Sequence, residues 1–326
     1  MSERYVVVGE ALVDLVGQPD GRTFVAHPGG SPANVAFGLA RLGRSATLVT
    51  QLGPDPLGEL VREHLLGAGV ELDPAADGAE RRTSTALVAL DAKGAASYDF
   101  HIDWELPGLP ELAADAVVLH TGSIAAAMLP GADTVEELFR RERERGAVTL
   151  SFDPNCRPAL MEPHERAVAR VERLVALSDV VKVSDEDLGW LYPGEPVERV
   201  AARWQASGPA LVAVTRGGEG VHAVAASGAV DRPAVPVRVV DTVGAGDSFM
   251  SGLLDALGSH GLLGGERREA LRAITGEELT AVVGHAALAA AITCSRSGAM
   301  PPTSDELAEA AGAGGVQATG AEAANA

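Results

Sequence analysis

Val239-Val-Asp241-Thr242-Val243-Gly244-Ala245-Gly246-Asp247-Ser248-Phe249 sets two glycines and a carboxylate where a helix begins. Phe249, Met250, Leu253, Leu254 and Leu257 follow at helical spacing, so the pattern predicts an amphipathic helix over Ala245–Leu257. Backbone N–H groups without intrahelical partners then point outward from Gly244, Ala245 and Gly246. Such a nest, joined to the positive end of the helix dipole, favours an anion, and glycine lets phosphate oxygens approach. Asp247 has two readings there. It complements the dipole as a first-turn acid, or it accepts the proton of a hydroxyl that attacks a bound phosphoryl group. Spacing alone leaves both open.

Outward from this stretch, periods alternate. Short apolar runs at Tyr5–Val8, Ala46–Gln51, Ala116–Leu119, Val148–Phe152, Val180–Val183 and Leu211–Val214 read as buried strands, separated by helical stretches such as Pro32–Leu42, Leu57–Leu66 and Thr134–Arg145. The fold class predicted is α/β, a mostly parallel doubly wound sheet covered on both faces, with ligands outside the carboxyl ends of its strands. Gly17–His27 and Thr83–His101 have period-two character instead, the second reading as a hairpin turned at Lys93-Gly94. The tail, residues 309–326, is small, polar and repetitive, and is expected to be disordered. The charge run Arg140–Arg145 reads as a solvated helix face.

Pro28-Gly29-Gly30-Ser-Pro-Ala-Asn34-Val-Ala is the second motif, and by itself it would simply build a turn into the Pro32 helix. Together with Asp241-Thr-Val-Gly-Ala-Gly-Asp247, in this order and far apart along the chain, it resembles the ribokinase, or PfkB, carbohydrate kinases. Gly9-Glu-Ala-Leu-Val-Asp14, Gln51-Leu-Gly-Pro-Asp55, Phe152-Asp153-Pro-Asn155-Cys-Arg157, Lys182-Val-Ser184 and Cys294-Ser-Arg-Ser-Gly298-Ala extend the likeness from Val6 to about Pro302.

The resemblance implies one ribokinase-like catalytic domain over residues 1–308, with a small β lid from about 10–27 and 83–103 closing over a sugar. It implies ATP-dependent transfer of the γ-phosphoryl group to a primary hydroxyl, with Asp247 as proton acceptor and Gly244, Ala245 and Gly246 holding the charge. It implies that Asp14 and Asn34 hydrogen-bond sugar hydroxyls, that Gly29 and Gly30 admit the ligand, and that Asn155 and Arg157 reach the cleft. An Asp-Pro-Asn turn explains Asn155 equally well. Tyr98, Phe100, His101 and Trp104 are candidate lid contacts, with core packing the alternative for Phe100. For the nucleotide the likeness points to Lys182, Ser184, Thr215, Gly217, Gly220, Gly246, Ala287 and Ala291, although an alanine-rich helix more often marks tight packing.

Magnesium is expected, held through water by Ser184 and Asp187. The family commonly has Asn-x-x-Glu where this chain has Ser184-Asp-Glu-Asp187, and the same run reads as a helix N-cap with first-turn acids. A monovalent cation, potassium, is implied near Asp241 and Ser295, and a homodimer through the lid is a further implication. Gly9-Glu-Ala-Leu-Val-Asp14 and Thr83-Ser-Thr-Ala look most like bacterial fructokinases, so D-fructose to fructose 6-phosphate is the expected reaction. Ketodeoxygluconate, ribose or a nucleoside are alternatives within the class, and a non-catalytic sugar-binding regulator is the alternative outside it.

Composition agrees. The 326 residues are 46% hydrophobic, enough for a large core. A net charge of −19 argues against nucleic acid or an anionic membrane as partner. Cys156 and Cys294 have no metal-ligand spacing and read as buried thiols. No leader pattern opens the chain and no run reads as spanning length free of charge or turn residues, so a soluble, cytoplasmic protein is expected. No Gly-x-x-x-x-Gly-Lys-Ser/Thr loop, protein-kinase catalytic loop or Gly-x-Gly-x-x-Gly after the first strand occurs, which disfavours those other nucleotide-binding designs.

Overall fold

The computed structural model describes residues 3–18, 20–73, 81–90, 96–161 and 163–321, with backbone alone at 88–90, 96–98 and 314–321. In chain order the elements are β1 (Arg4–Val8), β2 (Leu12–Gly17), β3 (Phe24–Gly29), α1 (Ser31–Arg41), β4 (Ser45–Val49), α2 (Pro56–Gly67), β5 (Glu71–Leu72), β6 (Ser84–Leu90), β7 (Ala96–His101) and β8 (Ala116–Gly122). There follow α3 (Gly131–Arg145), β9 (Thr149–Asp153), α4 (His164–Leu177), β10 (Val180–Ser184), α5 (Asp185–Leu191), α6 (Val197–Ser207), β11 (Leu211–Thr215), β12 (Val221–Ala225), β13 (Gly228–Arg232), α7 (Ala245–Ser259), α8 (Arg268–Arg272), α9 (Gly276–Cys294) and α10 (Ser304–Ala321).

The large sheet runs β13-β12-β11-β10-β9-β8-β1-β4-β5, parallel except at the antiparallel β11–β12 and β12–β13 pairs. Helices cover both faces, which is why its strands are nearly continuous apolar runs rather than alternating ones. On β1, Tyr5 and Val7 join a core with Phe37, Phe249 and Leu279 of α1, α7 and α9, while Val6 and Val8 join one with Leu138, Leu174 and Trp204 of α3, α4 and α6. A second sheet, β3-β2-β6-β7, stands apart from the first and is entered from β1 through Gly9-Glu10-Ala11. The β6–β7 hairpin forms as its period predicts; its Lys93-Gly94 turn lies outside the described residues.

Three differences from the sequence reading have physical causes. The tail, expected to be disordered from residue 309, continues in α10 to Ala321; alanine favours helix more than any other residue, and Leu307 anchors this helix against Leu42 and Ala289. Residues 322–326 lie outside the described set. Helix α9 does have the length and apolar composition of a membrane span, yet its Leu279, Val282, Val283 and Ala286 are buried in the core against α7. Its alanines are there for packing: a Cβ on Gly252 of α7 would stand 3.0 Å from Ala289 Cβ and 3.1 Å from Ala286 Cα. Trp104, a candidate lid contact, is 2% exposed in the core, and its Nε1 donates to Ala125 O at 3.1 Å.

Candidate active site

Two helices begin at the same place. Helix α7 starts at Gly244, whose φ of +72° is a left-handed conformation that glycine adopts without a Cβ penalty. It is fixed also by space, since a Cβ there would stand 2.5 Å from Ala299 Cβ. Helix α1 starts after Gly30 (φ +100°) and carries Ser31, Pro32 and Asn34 in its first turn. The two pack closely, a Cβ on Gly38 of α1 meeting Ser251 Oγ of α7 at 2.4 Å. That contact brings the two N-termini together across the end of the sheet.

Asp247, in the first turn of α7 and 7% exposed, lies between them. Ser31 Oγ donates to its Oδ1 at 2.6 Å and Asn34 Nδ2 donates to its Oδ2 at 2.8 Å. The sequence reading gave Asn34 to the sugar; one N–H of its amide goes to the carboxylate, and the amide carries a second N–H and an acceptor oxygen besides. Ser31, read there only as part of a turn, is a site residue that sequence reasoning missed. Its signal was its place one residue after the glycine pair, at the mouth of a helix.

Beneath Gly246 sits Lys182. It is 3% exposed, its Nζ donates to Asp153 Oδ2 at 2.9 Å, and a Cβ on Gly246 would stand 2.7 Å from that Nζ. The missing side chain of Gly246 therefore lets an ammonium form the floor of the nest that the α7 amides line. Burial works against the charge on Lys182, and the carboxylates of Asp153, Asp187 and Asp247 around it overcome that and raise its pKa. Burial also pushes the Asp153 carboxyl up to about 6, against the pull of Lys182. One cation thus serves several acids, and the nest lies on its open side.

Asp14 faces the same space from β2. Burial raises its pKa to about 6, while Arg157 and His27 pull it down and Asp247 pushes it up. His27 is its direct partner across the β2–β3 ladder. Gly29 is there for Asp14: a Cβ would stand 2.3 Å from Asp14 Oδ2. Gly30 is there for the backbone, where a Cβ would meet Glu10 O at 2.5 Å. Packing within the protein thus constrains both glycines, whatever ligand approach also asks of them. Glu10 is 2% exposed and accepts from Ile124 N at 3.3 Å and Ala125 N at 2.9 Å, tying the connection between β1 and β2 to the 3-10 turn Ser123–Ala126. Burial pushes its carboxyl up to about 7.

Asp153 Oδ1 accepts from Asn155 N at 3.2 Å, and Asn155 has φ +33°, so the Asp-Pro-Asn turn is real. Arg157 folds back on this loop, its Nη1 donating to Asn155 Oδ1 at 2.7 Å, and its charge acts on Asp14 and Glu10. Phe100 is half-buried against the Leu12, Ala86 and Ile124 cluster beneath the lid, and exposed His101 pairs with Asp99. Tyr98 lies opposite Val88 on β7, and its side chain is outside the described residues.

The expected nucleotide and metal residues divide. Thr215 ends β11 and Gly217 opens to solvent with nothing within 4 Å of an added Cβ, whereas Gly220 is required by Arg232 O, 2.0 Å from such a Cβ. Ala287 is half-buried and Ala291 buried on α9, one turn before Cys294, whose carbonyl accepts from the amides of Val240 and Asp241. Ser184 and Asp187 form a capping box: Asp187 N donates to Ser184 Oγ at 3.0 Å, and Asp187 accepts from Cys156 N at 2.8 Å and Ser184 N at 3.3 Å. Each Asp187 oxygen keeps a lone pair, which suits a water-mediated hold on a metal rather than a direct ligand set. Among the described residues no group of three His, Cys, Asp or Glu could hold an ion. Asp241 accepts from Val243 N at 3.0 Å and Gly298 N at 2.8 Å, while Ser295 Oγ donates to Ile292 O.

The family model described as pfkB family carbohydrate kinase matches residues 2–306. The chain is a member of that family. This carbohydrate kinase is 35% identical to a fructokinase of Klebsiella pneumoniae over 80% of its own length and 87% of the relative's, and 36% identical to one of Escherichia coli over 82% and 88%. Its fold matches a crystal structure of fructokinase with bound ATP from Xylella fastidiosa at TM-score 0.82 and 28% identity, covering 95% of this chain and 98% of that one. A Vibrio cholerae fructokinase in fructose-, ADP- and calcium-bound form matches at TM-score 0.76 and 28% identity, over 94% and 98%.

Proposed function

We propose that this kinase transfers the γ-phosphoryl group of ATP to the primary hydroxyl of D-fructose, giving fructose 6-phosphate and ADP. The observation that carries the reading is Asp247, an acid anchored between two helix N-termini and coupled electrostatically to Asp14. As the sugar oxygen forms its bond to Pγ, its O–H bond breaks and the proton passes to Asp247; the bond from Pγ to the β-γ bridging oxygen breaks, and ADP leaves with that electron pair. The amides of Gly244 and Gly246 and the ammonium of Lys182 face the charge that spreads over the transferred group, whereas the Ala245 amide expected beside them donates to Thr242 O at 3.2 Å. Asp14 accepts from sugar hydroxyls, and Arg157 beside it offsets its charge. Mg²⁺, held through water by Asp187, would neutralise the phosphates when bound.

Fructose is supported by the relatives that carry the name fructokinase over most of both chains. A monovalent cation at the junction of Asp241 and Ser295 is supported by a Vibrio cholerae fructokinase variant solved in fructose-, ADP- and potassium-bound form. Phe24 and Val25, 47% and 41% exposed on the free edge of the lid sheet, support a homodimer through that edge. Use of ATP goes with a cytoplasmic location. A nucleoside is the second reading, favoured by the match to an aminoimidazole riboside kinase of Salmonella enterica at TM-score 0.75 and 26% identity.

ADP release with Mg²⁺ over fructose, ribose, ketodeoxygluconate and aminoimidazole riboside decides among these. Fructose is expected to give the highest kcat/KM, and preference for another acceptor overturns the assignment. Asp247→Asn is expected to lower kcat by at least about two orders of magnitude, the usual worth of a positioned base. A near-full rate would remove the acceptor role, and silence with every sugar would leave a sugar-binding regulator.

A further inference from the structure

Ser31 is the first residue of α1, 8% exposed, and its hydroxyl is not spent on its own helix: Gly30 caps α1 without a side-chain hydrogen bond, and Pro32 follows with no N–H to satisfy. The bond it makes runs 216 residues along the chain, to Asp247 Oδ1 at 2.6 Å. Asn34, one helical turn on, takes Oδ2 at 2.8 Å. A carboxylate held at one oxygen can turn about its Cβ–Cγ bond. Held at both, by donors from one rigid helix, its plane is fixed. Each oxygen keeps a further lone pair, so the clamp and an incoming hydroxyl do not compete for the same site.

We propose that Ser31 is a positioning residue for phosphoryl transfer, setting the plane of the Asp247 carboxylate so that a free lone pair meets the acceptor hydroxyl. The inference rests on Asp247 as the proton acceptor. Its consequence is particular to the transfer step: ATP binds through other groups, so the clamp acts on kcat and not on the KM for ATP.

A double-mutant cycle tests it. Ser31→Ala is expected to lower kcat about tenfold, the low end of what a hydrogen bond to a charged group supplies when Asn34 still holds the other oxygen. KM for ATP and the melting temperature should stay near wild type. In an Asp247→Asn background the same substitution should change kcat less than twofold, since both act through one carboxylate. An equal fold-loss in both backgrounds would mean that Ser31 only supports the fold. A Ser31→Ala enzyme with wild-type kcat would show that Asn34 suffices, and would overturn the proposal. Failure of the acceptor role itself reads out separately, as near-full activity of the single Asp247→Asn variant.

Discussion

Lys182→Met keeps the length of the side chain and removes its charge, and it tests the floor of the anion nest directly. Asp153 is fully buried, and Lys182 Nζ at 2.9 Å is its ion-pair partner. Deleting one member of a buried pair typically costs about 3–5 kcal/mol, because the other charge stays behind without compensation. The protein can escape part of that by protonating Asp153. Its carboxyl already titrates at about 6 with the lysine in place, against 3.8 for the unperturbed acid, and should rise further without it. Breaking the pair and protonating the acid in response place the net cost near the lower bound, about 3 kcal/mol. The sign follows: an acid raised in the folded state keeps a proton that the unfolded chain releases, so lowering the pH favours folding. The gap to wild type in urea unfolding, measured in EDTA, should therefore be about 3 kcal/mol at pH 8 and shrink by about 1.4 kcal/mol per unit toward pH 6. Adding Asp153→Leu should restore most of the stability at pH 8 while leaving the KM for ATP raised, because the ammonium under Gly246 is still missing. A gap below about 1 kcal/mol at pH 8, or one that does not change with pH, would refute this account of the pair.

Two further outcomes follow from other parts of the structure. Asp14 titrates at about 6 in the free enzyme, so kcat/KM for fructose should fall about tenfold per pH unit below that value, and Asp14→Asn should flatten this limb while lowering kcat/KM at pH 7.5; an unchanged limb in the variant would assign it elsewhere. Leu307→Ala, which empties a buried contact with Leu42 and Ala289, should cost about 2 kcal/mol in urea unfolding, whereas a chain ending at Ala313 should match wild type in stability and kcat.

The strands of the large sheet were legible because both of their faces are buried, so apolar runs such as Val180–Val183 had no competing period. The antiparallel β12 and β13 were not, since Gly220 and Gly228 interrupt their runs and an edge strand is half polar, as exposed Asp231 shows. The small second sheet showed itself by its period of two. At the site, residue types that chemistry requires could be read from local spacing: Asp247 and Gly244–Gly246 stand together in sequence and in space. What could not be read is which acids and donors meet across the fold. Ser31 lies 216 residues from Asp247 and Lys182 lies beneath a glycine on another element, and both contacts follow from how closely α1, α7 and β10 approach. Gly29, Gly30 and Gly220 carry a constraint that local spacing did not show: each is packed against a neighbour already in the protein.

This crowding explains how a chain of net charge −19 can receive a polyanion. Glu10, Asp14, Asp153, Asp187 and Asp247 converge on one region with Lys182, Arg157 and His27 as the groups that pull on them. Three such groups among five acids cannot attract a nucleotide triphosphate by net charge. What can is direction. Buried acids whose pKa values rise to about 6 or 7 carry less than full charge near neutrality, and Asp153 and Asp187 spend theirs on Lys182 and on backbone amides. Ala245 N is spent on Thr242 O at 3.2 Å, so the amides of Gly244 and Gly246 are the ones at the start of α7 left to face an anion. In the proposed transfer a phosphoryl group would meet amides and an ammonium first and the sugar hydroxyl opposite would meet Asp247, so the two reactants would be sorted by which face of the same acidic cluster they approach.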